Sequence, residues 1–202
     1  MTEPVTVITC TFGRPELLRR AVASLAEQTF REFNHIIVED ADNSPSIHDM
    51  GIKDAKLITM SRRSGWPGFL CRNMGAVLAE SELIAFLDDD NWYEPEHLES
   101  LYVLQQDKNA DFVWSSSRLW SKQGEVIGYR TSDSPGESTT DIGEILCRRA
   151  LYIGSGGLDP REGPPADGLM VEGWVHHGAR FAHSERITLN YTVGMDENVP
   201  RI

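Results

Sequence analysis

Residues 84–95 place a cluster of acidic side chains directly after an apolar run. Ile84-Ala85-Phe86-Leu87 are apolar, and Asp88-Asp89-Asp90 follow them without a break. A short apolar run bounded by polar residues predicts a buried strand, so the three carboxylates meet at its carboxyl end. Adjacent carboxylates repel one another and need strong solvation or a cation. Oxygen ligands suit Mg²⁺ or Mn²⁺, especially where the metal also binds phosphates. The triplet therefore indicates either a metal site or a solvated acidic turn.

Strands and helices alternate through the first half of the chain. The pattern predicts strands at residues 5–10, 35–40, 55–60 and 84–87 and helices at residues 15–28 and 70–80. This alternation is typical of an α/β fold with a mostly parallel sheet and helices on both faces. Ligands of such sheets lie at the carboxyl ends of the strands. Thr11, Asp40 and Asp88–Asp90 fall at those ends, which predicts one shared binding site.

The second half of the chain carries weaker signals. It predicts a helix at residues 95–107, a strand at 111–116, a strand running into a short helix at 142–150, a helix at 169–177 and final strands at 181–183 and 187–193. We find no internal repeat and no second domain boundary, so we expect one compact domain over residues 1–202. A soft division falls near residue 115.

Composition restricts the class of protein. The 202 residues carry a net charge of −12, whereas a general nucleic-acid binder would present a basic face. Three widely spaced cysteines argue against a disulfide framework and against a zinc site. The chain has no apolar stretch of about 18 residues for a transmembrane helix and no signal-peptide pattern, so we expect a cytoplasmic protein. The oligomeric state stays open, and a homo-oligomer is compatible with the sequence.

Five segments of the chain occur in a recognisable order. They are Val7-Ile8-Thr9-Cys10-Thr11-Phe12-Gly13-Arg14-Pro15, Leu25-Ala26-Glu27-Gln28-Thr29-Phe30, Ile37-Val38-Glu39-Asp40, Arg72-Asn73-Met74-Gly75 and Asp88-Asp89-Asp90-Asn91-Trp92. Together they resemble the inverting GT-A glycosyltransferases of glycosyltransferase family 2. The resemblance implies a GT-A fold, in which a Rossmann-like central sheet is flanked by helices. It also implies a nucleotide-sugar-binding half at about residues 1–115 and an acceptor and catalytic-base half at about residues 116–202.

The resemblance implies roles for residues of the first half. Thr11 and Asp40 would hold the nucleotide base, and Asp90 with Asp88 would hold Mn²⁺ or Mg²⁺ against the donor phosphates. The remaining donor-binding residues that the resemblance implies are Phe12, Arg14, Glu39, Arg72, Asp88 and Asp89. Glu39 stands where the family usually has an aspartate, which leaves the identity of the base less defined.

The resemblance also implies a catalytic base in the second half. Family members carry a catalytic aspartate at the start of a helix that ends in glycine about eleven residues later, and Asp167 and Gly178 have that spacing. Asp167 would deprotonate an acceptor hydroxyl, although an aspartate at this position is also a natural helix N-cap. Ala166 and Gly173 replace a glutamate and an arginine that are common in the family.

The expected protein is a metal-dependent, inverting glycosyltransferase with an aspartate base. It would move a sugar from a nucleoside-diphosphate donor, with a UDP-sugar favoured, to a hydroxyl of a saccharide, a lipid-linked intermediate, a protein or a modified nucleobase. Two alternatives stay open: a nucleotidyltransferase, disfavoured because residues 9–14 hold only one glycine, and a non-catalytic nucleotide-sugar-binding protein. The candidates for a third metal ligand are His176, His177 and His183, and Trp66 is a candidate for ligand contact.

Overall fold

A computed structural model describes residues 4–41, 46–64, 68–136, 139–159 and 166–194. The strands are β1 (Val5–Thr11), β2 (Phe33–Glu39), β3 (Lys56–Thr59), β4 (Leu83–Phe86), β5 (Trp92–Tyr93), β6 (Phe112–Trp120), β7 (Val126–Arg130), β8 (Ile145–Arg148) and β9 (Phe181–Thr192). The helices are α1 (Pro15–Ala26), α2 (Phe69–Leu78), α3 (His97–Lys108), α4 (Arg149–Gly154) and α5 (Ala166–His176). Short 3-10 turns occupy Ile47–Met50 and Ile142–Glu144. Among the residues described, no helix is long and apolar enough to cross a membrane.

The described strands form one nine-stranded sheet in the order β3-β2-β1-β4-β8-β6-β9-β5, with β7 paired to β6. The first four strands of this order are mutually parallel. The predicted α/β fold around a parallel central sheet is confirmed. Strand β8 runs antiparallel to β4, with Ala85 opposite Leu146. Because of this pairing, the turn that precedes β8 lies beside the carboxyl end of β4, where the aspartate triplet begins.

Strand β1, in the parallel half of the sheet, is buried on both faces. All seven residues of β1 are buried because alternate side chains pack against helices on opposite sides. Val5 and Val7 join Leu25 of α1 in one apolar cluster. Ile8 lies in the cluster on the other face, where α2 approaches so closely that a Cβ on Gly75 would lie 2.4 Å from Ile8 Cγ2. This packing fixes the register of the strand ends that build the site.

The predicted elements occur close to their expected positions, with three differences. Strands β5 and β7 were not predicted from the sequence. The two final strands expected at residues 181–183 and 187–193 are one strand, β9. The pairing of β9 with β6 shifts register between His183 and Ile187, where Glu185 adopts a positive φ of 52°. This irregularity explains why the sequence pattern looked interrupted. The division expected near residue 115 falls within β6 and stays a prediction.

Two buried histidines make the stability of the fold sensitive to acid. His97 is fully buried with its Nδ1 2.8 Å from Thr188 Oγ1, and burial lowers its pKa to about 3. Burial also lowers the pKa of His35 to about 3. The ordinary histidine pKa is 6.5, so each side chain takes up a proton more readily in the unfolded chain. Each therefore contributes stability that is present above 6.5 and lost as the pH falls toward 3.

We expect the free energy of unfolding to fall by about 2 kcal/mol for each buried histidine between about pH 7 and about pH 5. Urea unfolding at both pH values measures this change. The variant His97→Gln should lose less stability over the same interval, by about the contribution of one histidine. His176→Gln, which alters an exposed histidine, should keep the wild-type pH dependence. Equal pH dependence in wild type and His97→Gln would contradict the assignment.

Candidate active site

The carboxyl ends of β1, β2 and β4 bring the predicted donor-site residues to one edge of the sheet. Thr11 ends β1 and Asp40 follows β2, and the Asp40 N–H donates to the Thr11 carbonyl oxygen at 2.9 Å. The Ser64 N–H, beyond β3, donates to Asp40 Oδ1 at 2.6 Å. Asp88–Asp90 follow β4 on the other side of β1. The three sequence segments therefore meet where the sequence predicts.

Asp89, the middle residue of the triplet, points into the protein. Its side chain is fully buried and accepts a hydrogen bond from Thr11 Oγ1 at 2.7 Å. Arg14 Nη2 lies 2.6 Å from Asp89 Oδ1. Burial raises the pKa of Asp89 to about 6, and the Arg14 guanidinium and the Thr11 hydroxyl oppose that rise. Asp89 therefore connects the triplet to β1 and to the turn that precedes α1, and a direct contact with the donor stays a prediction.

Asp88 and Asp90 flank this buried anchor and are each paired with an arginine. Asp90 Oδ2 accepts from Arg14 Nη1 at 2.9 Å, and Arg72 Nη2 donates to Asp88 Oδ1. The Asp90 carbonyl oxygen accepts from Thr192 Oγ1 at 2.6 Å, which ties the triplet to β9. The backbone at Asp90 is thus held independently of its carboxylate. Two carboxylates and two guanidinium groups meet in a setting suited to charged phosphate and metal chemistry.

The donor set at Asp88 and Asp90 fits a divalent cation that also binds phosphate. Mg²⁺ and Mn²⁺ prefer oxygen ligands, and one or two carboxylates suffice where substrate phosphates supply the others. Within the described ranges, no three His, Cys, Asp or Glu side chains form a protein-only metal site. Both ring nitrogens of His183 are engaged, with Nδ1 2.9 Å from Asp133 Oδ1 and Nε2 3.0 Å from Ser116 Oγ. Metal binding stays a prediction, in which phosphate groups of the substrate would supply the remaining ligands of the cation.

The other predicted donor contacts line the ends of β1 and β2. The Arg63 guanidinium lies over the Phe12 ring, with Cζ 4.1 Å from the ring centroid. Glu39 is buried, and its Oε2 accepts from Thr59 Oγ1 at 3.1 Å and from Ser46 Oγ at 3.3 Å. These two hydroxyl groups provide hydrogen-bond donors for the carboxylate of Glu39, the longer side chain that stands where the family usually has an aspartate. Trp66 lies outside the described residues.

Asp167, the predicted base, occupies the first turn of α5 and is partly exposed. Its Oδ1 accepts from the Gly168 N–H at 3.0 Å. Its Oδ2 accepts from the Ile142 N–H at 3.2 Å, across from the 3-10 turn that precedes β8. Each carboxylate oxygen thus has one backbone donor, so the orientation of the carboxylate is defined. Such an aspartate serves as a helix-terminus residue and is also placed to accept a proton.

Asp141 links the base to the aspartate triplet. Burial raises the pKa of Asp141 well above its usual range, and the Arg130 guanidinium opposes that rise. The carboxylates that add to it are Asp167, Glu144 and Asp88. Asp88 from the first half and Asp167 from the second therefore both act electrostatically on the same side chain. The two halves of the chain converge around Asp141.

Sequence reasoning missed Asp141, Glu144 and Arg130. The turn carries a capping box, in which Asp141 Oδ1 accepts from the Gly143 N–H at 2.9 Å and Glu144 Oε2 accepts from the Asp141 N–H at 2.9 Å. The Asp-x-x-Glu spacing was a local signal for this turn. Its position beside β4 follows from the strand order, which no local signal reveals.

A sequence model described as Glycosyl transferase family 2 matches residues 6–154. This chain belongs to glycosyl transferase family 2. The family match includes Thr11, Asp40, the aspartate triplet and the Asp141 turn. It ends before Asp167, so the base of this family 2 protein stays a prediction.

The sequence similarity to individual proteins is consistent with this family assignment. This family 2 protein is 34% identical over 108 residues to the succinoglycan biosynthesis protein ExoW of Rhizobium meliloti, which covers 50% of the chain and 34% of ExoW. It is 28% identical over 154 residues to the glycosyltransferase GlyG of Streptococcus pneumoniae, which covers 74% of the chain and 51% of GlyG. The chain therefore spans about a third to a half of these relatives.

Among solved structures, S. aureus TarS 1-349 in complex with UDP-GlcNAc matches the family 2 protein with a TM-score of 0.76 at 18% identity. The match covers 97% of this chain and 61% of TarS 1-349. At this identity the likeness concerns the fold, and it confirms the predicted GT-A architecture.

Proposed function

We propose that the chain is an inverting, metal-dependent glycosyltransferase that uses a nucleoside-diphosphate sugar and an acceptor hydroxyl. One observation carries the proposal: the aspartate triplet after β4 lies beside the turn whose Ile142 N–H binds Asp167. This adjacency supports a proposed site for the leaving diphosphate with the proposed carboxylate base close to it. An inverting transfer needs both groups, because the acceptor oxygen attacks the anomeric carbon from the side opposite the diphosphate.

The donor is proposed to be a UDP-sugar. The family match spans the strand ends that carry Thr11 and Asp40. TarS, which shares the fold, was solved with UDP-GlcNAc bound. In the proposed complex, Thr11 and Asp40 contact the base, and Arg14 and Arg72 lie near the diphosphate. The Phe12 and Glu39 positions complete the donor-binding set.

Asp90, with Asp88 beside it, is proposed to hold Mn²⁺ or Mg²⁺. When bound, the cation would neutralise the negative charge that develops on the leaving diphosphate. Arg72 binds Asp88 and Arg14 binds Asp90, so the protein presents both carboxylates in fixed positions before the donor arrives. Such preorganised electrostatics are usually the largest catalytic contribution.

Asp167 is proposed to accept the proton of the acceptor hydroxyl. The bond between the acceptor oxygen and the anomeric carbon forms as the bond from that carbon to the diphosphate oxygen breaks. The proton moves to an Asp167 oxygen, and the nucleoside diphosphate leaves. The two backbone N–H groups that bind Asp167 orient its carboxylate for this transfer.

The acceptor belongs to a saccharide, a lipid-linked intermediate, a protein or a modified nucleobase. The name of ExoW, a succinoglycan biosynthesis protein, supports a saccharide as the first class to test. The net charge of −12 argues against general nucleic-acid binding.

Thermal unfolding with UDP, GDP, CDP, dTDP and ADP, each with and without Mn²⁺, tests the proposal. A ligand at 100 times its Kd stabilises the folded state by about 2.7 kcal/mol. This corresponds to a rise in Tm of several degrees for a domain of this size. We expect the largest rise for UDP with Mn²⁺.

No rise with any nucleotide would contradict the donor site. Stabilisation by UDP without any release of UDP from UDP-sugars would instead favour the non-catalytic binding protein. If none of these diphosphates stabilises the fold but the corresponding nucleoside triphosphates, measured in the same way, do, the result would favour a nucleotidyltransferase.

A further inference from the structure

An ion pair between the buried Glu144 and the partly exposed Arg130 lies behind the turn that binds Asp167. Glu144 is 1% exposed, and Arg130 Nη1, from β7, lies 3.2 Å from Glu144 Oε1. Ser117 Oγ of β6 donates to the same oxygen at 2.5 Å. The other oxygen, Oε2, accepts from the Asp141 N–H at 2.9 Å. Glu144 thus joins β6, β7 and the turn through one carboxylate.

These contacts fix the direction of one backbone donor. With Asp141 Oδ1 bound to the Gly143 N–H and Glu144 bound to the Asp141 N–H, the turn has a single geometry. A Cβ at Gly143 would lie 3.2 Å from a Leu189 methyl group, so β9 packs tightly against the turn. The Ile142 N–H then projects onto Asp167 Oδ2 at 3.2 Å. The orientation of the base depends on the turn.

Arg130 is the cation that faces this acidic group. Its guanidinium lies 3.8 Å from Asp141 as well as 3.2 Å from Glu144. Its Cζ also lies 4.8 Å from the centroid of the Tyr191 ring, so the guanidinium packs against an aromatic side chain of β9 as well. An ion pair with one partly exposed partner is weak evidence for stability, because solvent screens the attraction and apolar replacements are often as stable. A role in orienting a nearby charged group therefore accounts better for its presence.

We infer that Arg130 and Glu144 are positioning residues for Asp167. They hold the turn at Ile142–Glu144 so that the Ile142 N–H aims the Asp167 carboxylate at the acceptor oxygen. The inference rests on the proposed function of Asp167, and it adds residues from β7 and from the turn to the reaction centre. Small displacements of an oriented group reduce rate strongly while leaving donor binding unchanged.

The test compares Arg130→Met, Arg130→Lys and Arg118→Met. Arg118 of the neighbouring strand β6 is a matched control, because its guanidinium pairs with Glu94 at 2.9 Å and not with the turn. The assay is UDP release from UDP-GlcNAc and other UDP-hexoses with Mn²⁺, with water as the acceptor. Binding of UDP is measured separately by calorimetry.

Arg130→Met should lower kcat by about 10- to 100-fold with the Kd for UDP within about twofold of wild type. Arg130→Lys should recover part of kcat, and Arg118→Met should match wild type. A kcat for Arg130→Met within about twofold of wild type would overturn the inference.

Hydrogen exchange of the Ile142 amide separates this inference from the proposed function. If the wild type releases no UDP, the proposed function fails, but faster Ile142 exchange in Arg130→Met than in Arg118→Met still supports the positioning of the turn. Equal exchange rates would overturn it. Glu144→Gln serves as a second variant if Arg130→Met does not fold, and the same two outcomes apply.

Discussion

Replacing Asp167 with asparagine should remove sugar transfer while leaving the donor site intact. The amide cannot take the proton of the acceptor hydroxyl, so we expect kcat for UDP release to fall by about 10²- to 10⁴-fold. UDP affinity should stay within about twofold of wild type, because Thr11, Asp40 and Asp90 lie on other elements. The measurements are UDP release from UDP-sugars and calorimetric titration with UDP and Mn²⁺.

The substitution should also lower the stability of the fold, and the controls distinguish this effect from the loss of activity. Both Asp167 oxygens accept a backbone N–H, whereas an asparagine offers only one oxygen. We expect a loss of about 1 kcal/mol in the free energy of unfolding. Glu172→Gln alters an exposed carboxylate on the same helix and should keep full activity. Wild-type turnover in Asp167→Asn would move the base elsewhere, and Asp141 would be the first residue to examine.

Asp90→Ala should abolish the dependence of donor binding on Mn²⁺. The Asp90 carboxylate is the proposed main metal ligand, and without it the cation would be held too weakly to strengthen binding of the diphosphate. We expect the Kd for UDP in the presence of Mn²⁺ to rise by at least about tenfold, close to its value without metal. Calorimetric titration of UDP with and without Mn²⁺ measures both values.

The fold should tolerate this substitution. The Asp90 carbonyl oxygen remains bound to Thr192, and Arg14 keeps its pairing with the buried Asp89. Asp107→Ala, which removes an exposed aspartate from α3, is the matched control and should bind UDP with wild-type metal dependence. If Asp90→Ala keeps the Mn²⁺-dependent affinity of wild type, the metal assignment is wrong.

The parallel half of the fold could be predicted because its signals are local. β-Branched runs define β1 and β2, helical spacing defines α1, and parallel strands must end at one edge of the sheet. The antiparallel half was harder. β5 contains only two residues, and the pairing of β9 with β6 shifts register near the positive φ at Glu185. Short strands and irregular pairings depend on tertiary contacts that periodicity does not encode.

The site shows the same contrast. The aspartate triplet was recognisable in the sequence. The burial of Asp89 could not be predicted, because its partners Thr11 and Arg14 come from β1 and from the turn that precedes α1. Asp141 and Glu144 look like an ordinary capped turn in the sequence. Their proposed role depends on the pairing of β8 with β4, which brings the turn beside the triplet.

A crystal structure with UDP and Mn²⁺, collected at a wavelength where manganese scatters anomalously, tests the central claim most directly. The proposed site predicts uracil at Thr11 and Asp40 and an anomalous peak bonded to Asp90 and both phosphates of UDP. Asp167 should face the open side of the β-phosphate, where the sugar would lie. UDP bound away from the carboxyl ends of β1, β2 and β4, or a diphosphate without manganese at Asp90, would contradict it.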